Sequence, residues 1–467
     1  MASELWTGTS ERPYPYTSTL LQGCQAITVK LDSITMVSMQ DTQKIKGHSN
    51  QQRNMLAGIV HGTFFEMACA FAEPFALIPI FLFGFTSSKL VIGLIVGLMQ
   101  AAAVLPQLLM SRLLRRRPHT ARPLMLVGIW MRCGVWGILG VFALISSRQS
   151  LWLLWASIIL VSLYSFGGGI AVLPFNRIIS ETIPPEKRSS FFGWRLFFGG
   201  FMAMMAGFLV KLVLGSDRML WPNNFGVLFL FAFVTLIIAY TAMSMFIFPS
   251  GLPGKSSDAM PSLWHECLNV FKTYPVMKRL IIIELLTSKL ALFMPFMTLY
   301  ATQSRHISLK WVGIFIVCMK LGSMLSNLLW IPIGNKIGTR ILIHAGIITA
   351  IVALVLSIVA HNVFFFLLTF FVTGLASSAL MLGYNGYILE IGPAETRGLL
   401  VAIKGTMLLP LYFMPLLGGL IADTLGYFWL LVLGLVLFSL ALLLALTLCE
   451  PRNEDRACGP CPTSEFA

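Results

Sequence analysis

The sequence predicts an all-α polytopic membrane protein, with twelve transmembrane helices in two pseudosymmetric six-helix bundles. Three observations carry that prediction. The first is solvent preference: 57% of the 467 residues are hydrophobic, only 11% are charged, and mean hydropathy is +0.82. A soluble globular chain carries about 25% charged residues, so most of this one is built for an apolar surrounding. The second is the recurrence of apolar runs of about 20 residues or more, each able to cross a hydrocarbon core of roughly 30 Å at about 1.5 Å per residue. The third is duplication. Asn176, Ile179, Glu181, Pro184, Glu186 and Arg188 return at identical spacing as Asn385, Ile388, Glu390, Pro393, Glu395 and Arg397. Seven residues beyond each arginine stands another basic side chain, Arg195 in one copy and Lys404 in the other.

In chain order, residues 1–54 are polar, rich in Ser, Thr and Gln, and hold no apolar core of signal-peptide length. They are expected to form a disordered cytoplasmic extension. Twelve spans are predicted at 56–84, 90–111, 123–146, 151–175, 191–214, 224–248, 280–302, 311–334, 341–360, 363–384, 399–422 and 427–449. Several contain Gly and Pro, which membrane helices tolerate where neighbours satisfy the freed backbone groups. Spans one to six make an N-terminal bundle, 55–249, and spans seven to twelve a C-terminal bundle, 280–449. Between them runs a polar stretch, 250–279, in which Leu263, Trp264, Cys267, Val270 and Phe271 recur at helical spacing. That pattern predicts an amphipathic helix on the inner membrane face. Residues 450–467 form a cytoplasmic tail.

The duplication is visible a second time. Gln107-Leu108-Leu109 closes the second span as Asn327-Leu328-Leu329 closes the eighth, at an offset of 220 against 209 for the longer motif. One ancestral unit with loop insertions accounts for both offsets.

The net charge of +14 does not point to nucleic acid, because the basic residues sit in short loops between apolar runs rather than on one face. Arg112, Arg115, Arg116, Arg117, Arg122, Arg177, Lys187, Arg188, Lys255, Lys272, Lys278, Arg279, Lys336, Arg340 and Arg397 fall in alternate loops on one side, and the other side holds only Lys89, Arg148, Arg218, Arg305 and Lys310. The positive-inside rule then makes both termini cytoplasmic. The eight cysteines are scattered and do not read as a disulfide framework, with Cys69, Cys133 and Cys318 inside apolar segments. Cys458-Gly-Pro-Cys461 spells a redox motif, but in a polar tail with no βαβ unit around it, and is read as incidental.

Charged side chains inside the spans need an explanation, because one at mid-bilayer costs roughly 2.5–3.5 kcal/mol. Glu66 and Glu73 are seven apart on the first span. On a continuous helix that is about 700°, roughly two turns, and puts both on one stripe. Arg132, Lys289 and Lys320 fall at a depth similar to that of Glu66, with Glu284 nearer the cytoplasm. Lys289 follows Glu284 by five residues, too far around the helix for an intrahelical pair. Glu66, Glu73 and Glu284 are therefore candidates for carrying protons, and Arg132, Lys289 and Lys320 for holding an anionic solute or the anionic part of one. The bland alternative is mutual pairing of these six groups. Glu181, Arg188, Arg195, Glu390, Arg397 and Lys404 mark the cytoplasmic ends of spans four, five, ten and eleven. They are read as latches between helices, against plain capping and snorkelling.

Twelve spans as six plus six, cytoplasmic termini, a central loop and an internal repeat together resemble the major facilitator superfamily over roughly residues 55–449. Gly334-Asn335-Lys336-Ile337-Gly338-Thr339-Arg340 is similar to that family's loop motif, with Asn335 where an Asp is usual. Arg115-Arg116-Arg117-Pro118, the matching loop of the first half, keeps the charge without the glycines or the acid. The resemblance implies alternating access by rocking of two halves around a central cavity, with cytoplasmic loops such as that of Asn335 and Arg340 gating it. The chain is accordingly expected to be a monomeric, proton-coupled secondary transporter of a small solute, seated in a plasma or bacterial inner membrane. No Walker A sequence, H-E-x-x-H or G-x-S-x-G occurs, so neither ATP hydrolysis nor an embedded hydrolase is expected, and no metal or cofactor is implied. A non-transporting receptor or scaffold on the same fold is the second class, hinted at by the N-terminal extension.

Overall fold

The computed structural model describes residues 50–146, 150–247, 270–287, 290–391 and 397–451. The chain divides into Met1–Met55 and Leu56–Ala467, and the helices below all belong to the second unit. The first half comprises α1 (56–71), α2 (Leu77–Phe83), α3 (Lys89–Arg116), α4 (Ala121–Ile145), α5 (Leu151–Thr182), α6 (Pro185–Leu214) and α7 (Asn223–Ser244). The second half comprises α8 (Val276–Thr287), α9 (Leu290–Leu299), α10 (Lys310–Ile337), α11 (Thr339–Val359), α12 (Val363–Ile391), α13 (Arg397–Met407), α14 (Met414–Thr424) and α15 (Tyr427–Ala445). A π-helical turn, Tyr300–Ser304, prolongs α9, and a 3-10 turn, Leu409–Phe413, joins α13 to α14.

Ten helical stretches among the described residues are long and apolar enough to cross a membrane. The broken first pass, 56–83, and the broken eleventh, 397–424, complete twelve. Both breaks have a local cause. Pro74 disfavours helical geometry at Glu73 and lacks an N–H, so α1 stops at 71. The Glu73 carbonyl then accepts hydrogen bonds from the backbone N–H groups of Leu77 (3.0 Å) and Ile78 (3.2 Å), which starts α2. In the eleventh pass Pro410 is the second residue of the 3-10 turn and Pro415 the second of the helix that follows it. The spans expected to run unbroken over 56–84 and 399–422 are thus corrected. So is the stripe argument for Glu66 and Glu73, since Glu73 lies beyond the end of α1.

The two halves repeat one packing plan. In the first, α5 packs on α3 and α4, and α4 on α7; in the second, α12 packs on α10 and α11, and α11 on α15. These are corresponding helices of the two copies. Across the halves, α6 packs on α10 and α14 on α3. Both contacts rest on glycine. A Cβ on Gly313 would lie 2.3 Å from the Gly207 carbonyl oxygen, and one on Gly93 would lie 2.0 Å from that of Pro415. Asp423, at the end of α14, accepts from the backbone N–H groups of Lys89 (2.9 Å) and Leu90 (2.8 Å) and pairs with the Lys89 ammonium at 3.3 Å. All of these contacts lie toward the Lys89 end of α3.

The predicted amphipathic segment falls mostly outside the described residues, which begin again at 270 with a short helical turn over 270–273. The N-terminal extension to residue 49, Lys289, Cys458 and Cys461 also lie outside them.

Candidate functional site

A cavity of about 480 Å³ lies inside the bundle, walled by both halves. The break in the first pass supplies Glu73 and Phe75, α3 supplies Gln100, and α8 supplies Glu284 and Thr287. Met319, Lys320 and Ser323 come from α10, Ser377, Leu380, Met381 and Tyr384 from α12, and Leu408, Leu411 and Tyr412 from the broken eleventh pass. A smaller chamber of about 230 Å³ is lined by Cys69, Ala72, Pro74 and Phe75, by Met99 and Gln100, and by Arg132, Trp136, Tyr164 and Ser165.

Two ion pairs hold the charged groups of this region. Lys320 on α10 reaches across to Glu66 on α1, Nζ to Oε2 3.1 Å. Lys404 on α13 pairs with Glu284 on α8 at 3.2 Å, and there both side chains are nearly buried (9% and 13% exposed). Removing one member of such a pair strands the other charge in a poor solvent, at a cost of about 3–5 kcal/mol. Glu73, only 5% exposed, has no ion pair among the described residues.

Arg132 is held differently. Its Nη2 donates to the Tyr164 hydroxyl at 2.6 Å, and its guanidinium lies 4.2 Å from the Tyr164 ring centre and 5.0 Å from that of Phe65. Aromatic faces attract a cation by about 1–2 kcal/mol when water is excluded, but they leave its charge uncancelled. Its Nε is buried without a hydrogen-bond partner, as is Nε2 of Gln100. Arg195 repeats the arrangement over Phe175, 4.9 Å from the ring centre, with Nη1 unpartnered.

Small residues make room for these long side chains. A Cβ on Gly62 of α1 would lie 1.9 Å from Cγ of Arg195, and one on Gly199 of α6 would lie 2.9 Å from Cγ of Glu66. Each helix thus offers a glycine to the other's charged residue. On α5 the run Gly167-Gly168-Gly169 lies against Arg132 and the backbone of α3. A Cβ at 167 would come within 3.0 Å of Arg132 Cγ, and one at 169 within 2.3 Å of the Ala103 carbonyl oxygen.

Of the six mid-membrane candidates, Glu66, Glu73, Glu284, Arg132 and Lys320 gather around the two cavities, and Lys289 lies outside the described residues. Lys404 departs from its expected place: it sits inside, on Glu284, rather than at the boundary. Four other boundary groups, Glu181, Arg188, Glu390 and Arg340, are engaged within their own half. Glu181 pairs with Arg177 at 2.7 Å, and Arg188 donates to the carbonyls of Ser180 (2.6 Å) and Ile183 (3.0 Å). Glu390 accepts from the Thr339 hydroxyl at 2.6 Å, and Arg340 donates to the Leu446 carbonyl at 3.2 Å. Asn335 is exposed in the last turn of α10, and Arg397 opens α13. Between them Gly338 adopts φ of +116°, a conformation that favours glycine and turns α10 into α11.

Aromatic side chains divide likewise. Trp136 and Tyr164 line the smaller chamber and Tyr384 the larger, where its hydroxyl lies 2.5 Å from Thr287 Oγ1. Phe293 is core packing against Phe438, Trp330 donates to the Leu375 carbonyl, and Trp194 is exposed. Gln100 and Thr287 escape sequence reasoning, because a lone neutral polar residue in an apolar run carries no signal of its own. No cluster of three or more His, Cys, Asp or Glu suited to a metal ion occurs among the described residues.

Comparison with known proteins follows this geometry. Residues 285–457 match the family model described as Major Facilitator Superfamily. No curated protein sequence matches the chain. Among solved structures, the nucleoside transporter NupG is similar with a TM-score of 0.57 at 14% identity, covering 85% of this chain and 97% of its own. A D-xylose–proton symporter gives 0.61 at 13% identity, covering 86% and 98%. An auto-inhibited POT family peptide transporter gives 0.62 at 13% identity, covering 84% and 95%. At these identities the likeness is one of fold. The sequence of residues 285–457 is thus similar to the Major Facilitator Superfamily, and the chain shares the fold of these solved transporters.

Proposed function

We propose that the protein is a proton-coupled secondary transporter that moves a small solute, anionic in whole or in part, by alternating access. A single observation carries the reading: a cavity between two structurally repeated halves, bordered by ion pairs that join different helices. Lys320–Glu66 ties the halves to one another, and Lys404–Glu284 lies within the second. Arg132, with no carboxylate partner among the described residues, supports an anionic group on the solute. Protonation of Glu66 would release Lys320 and loosen the contact between halves, which is how a proton gradient could drive the cycle.

The interlocked backbones at the Lys89 end read as the closed side of the cavity, and the basic loops at the Arg116 end as the cytoplasmic face. On this reading Glu181, Arg188, Glu390, Arg397, Asn335 and Arg340 meet across the halves only when the cytoplasmic side shuts. Both termini are then cytoplasmic, in a plasma or bacterial inner membrane, and the working unit is a monomer. The test is uptake of charged metabolites by purified protein in liposomes, with and without an imposed proton gradient. Concentrative uptake of at least one carboxylate-bearing solute under the gradient is expected. Facilitated uptake that ignores the gradient would remove the coupling, and no uptake of any solute would favour a receptor on a transporter fold.

A further inference from the structure

The break at 72–76 is a wall between two chambers of opposite charge. Ala72 and Pro74 face the smaller chamber, Glu73 faces the larger, and Phe75 and Gln100 border both. Around the larger chamber three carboxylates, Glu66, Glu73 and Glu284, meet two ammonium groups, Lys320 and Lys404. Lys320 is committed to Glu66 at 3.1 Å, which leaves Glu73 as the carboxylate without an ion-paired cation among the described residues. The smaller chamber holds the opposite defect. Arg132 lines it without a carboxylate, and its Nε and the Nε2 of Gln100 are buried donors with nothing to donate to.

Charges withdrawn from water persist when they are paired. A plain anion would complete Arg132 and leave Glu73 alone; a plain cation would do the reverse. A molecule carrying both charges completes both at once. We infer that the transported solute is a zwitterion: its carboxylate sits against Arg132 and Gln100, its ammonium group against Glu73. An apolar body joins them past Phe75, along the methionine and leucine surface of Met294, Met319 and Leu411. This inference rests on the transport reading above and narrows it. The Lys320–Glu66 and Lys404–Glu284 pairs stay internal to the protein and are not asked to bind solute.

The test uses full-length protein in lipid nanodiscs and follows its thermal unfolding midpoint, together with the fluorescence of Trp136, which lines the smaller chamber. The probes are ω-aminocarboxylates of increasing methylene number, with their N-acetyl derivatives (anion only) and methyl esters (cation only). One chain length of the zwitterion should bind best, about tenfold or more tighter than either capped form, as about 1.4 kcal/mol per lost charge contact predicts. Arg132→Gln should weaken the zwitterion and the N-acetyl form but not the ester. Glu73→Gln should weaken the zwitterion and the ester but not the N-acetyl form. The wild-type series decides the matter even if neither variant folds. Equal binding of the zwitterion and its N-acetyl form would overturn the zwitterion while leaving anion transport intact. Absence of binding by every probe would overturn it too, and uptake of other solutes in liposomes would judge the transport reading separately.

Discussion

Lys404 shows how a single side chain changes meaning with its surroundings. Its place seven residues after Arg397 marks it as a boundary group, yet its ammonium is buried at 3.2 Å from Glu284. Arg195, its counterpart in the first half, lies over Phe175 instead, so the duplicated position has been put to two uses. The Lys404–Glu284 pair is the more enclosed of the two in the cavity, and its loss should show in stability. Lys404→Met alone is expected to lower the unfolding free energy by about 3 kcal/mol, because it strands Glu284. Adding Glu284→Gln should restore much of that loss. Denaturant titration of the two single variants and the double variant checks this; strictly additive losses would mean that the two groups do not interact.

At the scale of elements, the closed end depends on glycines that let backbones touch. Gly207 on α6 faces the Gly313 carbonyl oxygen, 2.8 Å from where a Cβ would stand, and Val317 Cγ2 at 2.6 Å. Gly207→Leu should therefore push α6 off α10. With cysteines placed at 89 and 423, which bear the 3.3 Å ion pair in the native chain, oxidative cross-linking should be fast in the parent and several-fold slower with leucine at 207. Unchanged cross-linking would show that the α3–α14 contact closes this end without α6.

Much at this scale was legible beforehand. Length and apolarity mark twelve passes, ten of which are helical stretches long enough to cross a membrane among the described residues, and the repeated Asn176–Arg188 and Asn385–Arg397 motifs point to corresponding packing in both halves. The breaks were not foretold, although Glu73-Pro74 is the kind of dipeptide that ends a helix; a long apolar run masks a local stop. Partnerships were hidden for another reason. Lys320 and Glu66 are 254 residues apart, and Lys404 and Glu284 are 120 apart. Only the packing of α1 on α6, and of α6 on α10, brings positions as distant as Glu66 and Lys320 within reach. Charge identified Glu66, Glu284, Arg132 and Lys320 as residues needing partners, but spacing within one helix could not say which partners.

At the scale of the whole molecule, the account makes Glu66 the joint between proton and motion, since its pair with Lys320 spans the two halves. Glu66→Gln keeps the size and hydrogen-bonding capacity of the side chain while removing its titration and its charge. The most direct measurement is solute accumulation by liposomes holding the Glu66→Gln protein under an imposed proton gradient, set beside counterflow exchange with no gradient. The account predicts that gradient-driven accumulation falls to the level of passive equilibration while exchange persists. Normal accumulation by Glu66→Gln would contradict it, and would reduce the Glu66–Lys320 pair to a structural tie between the halves.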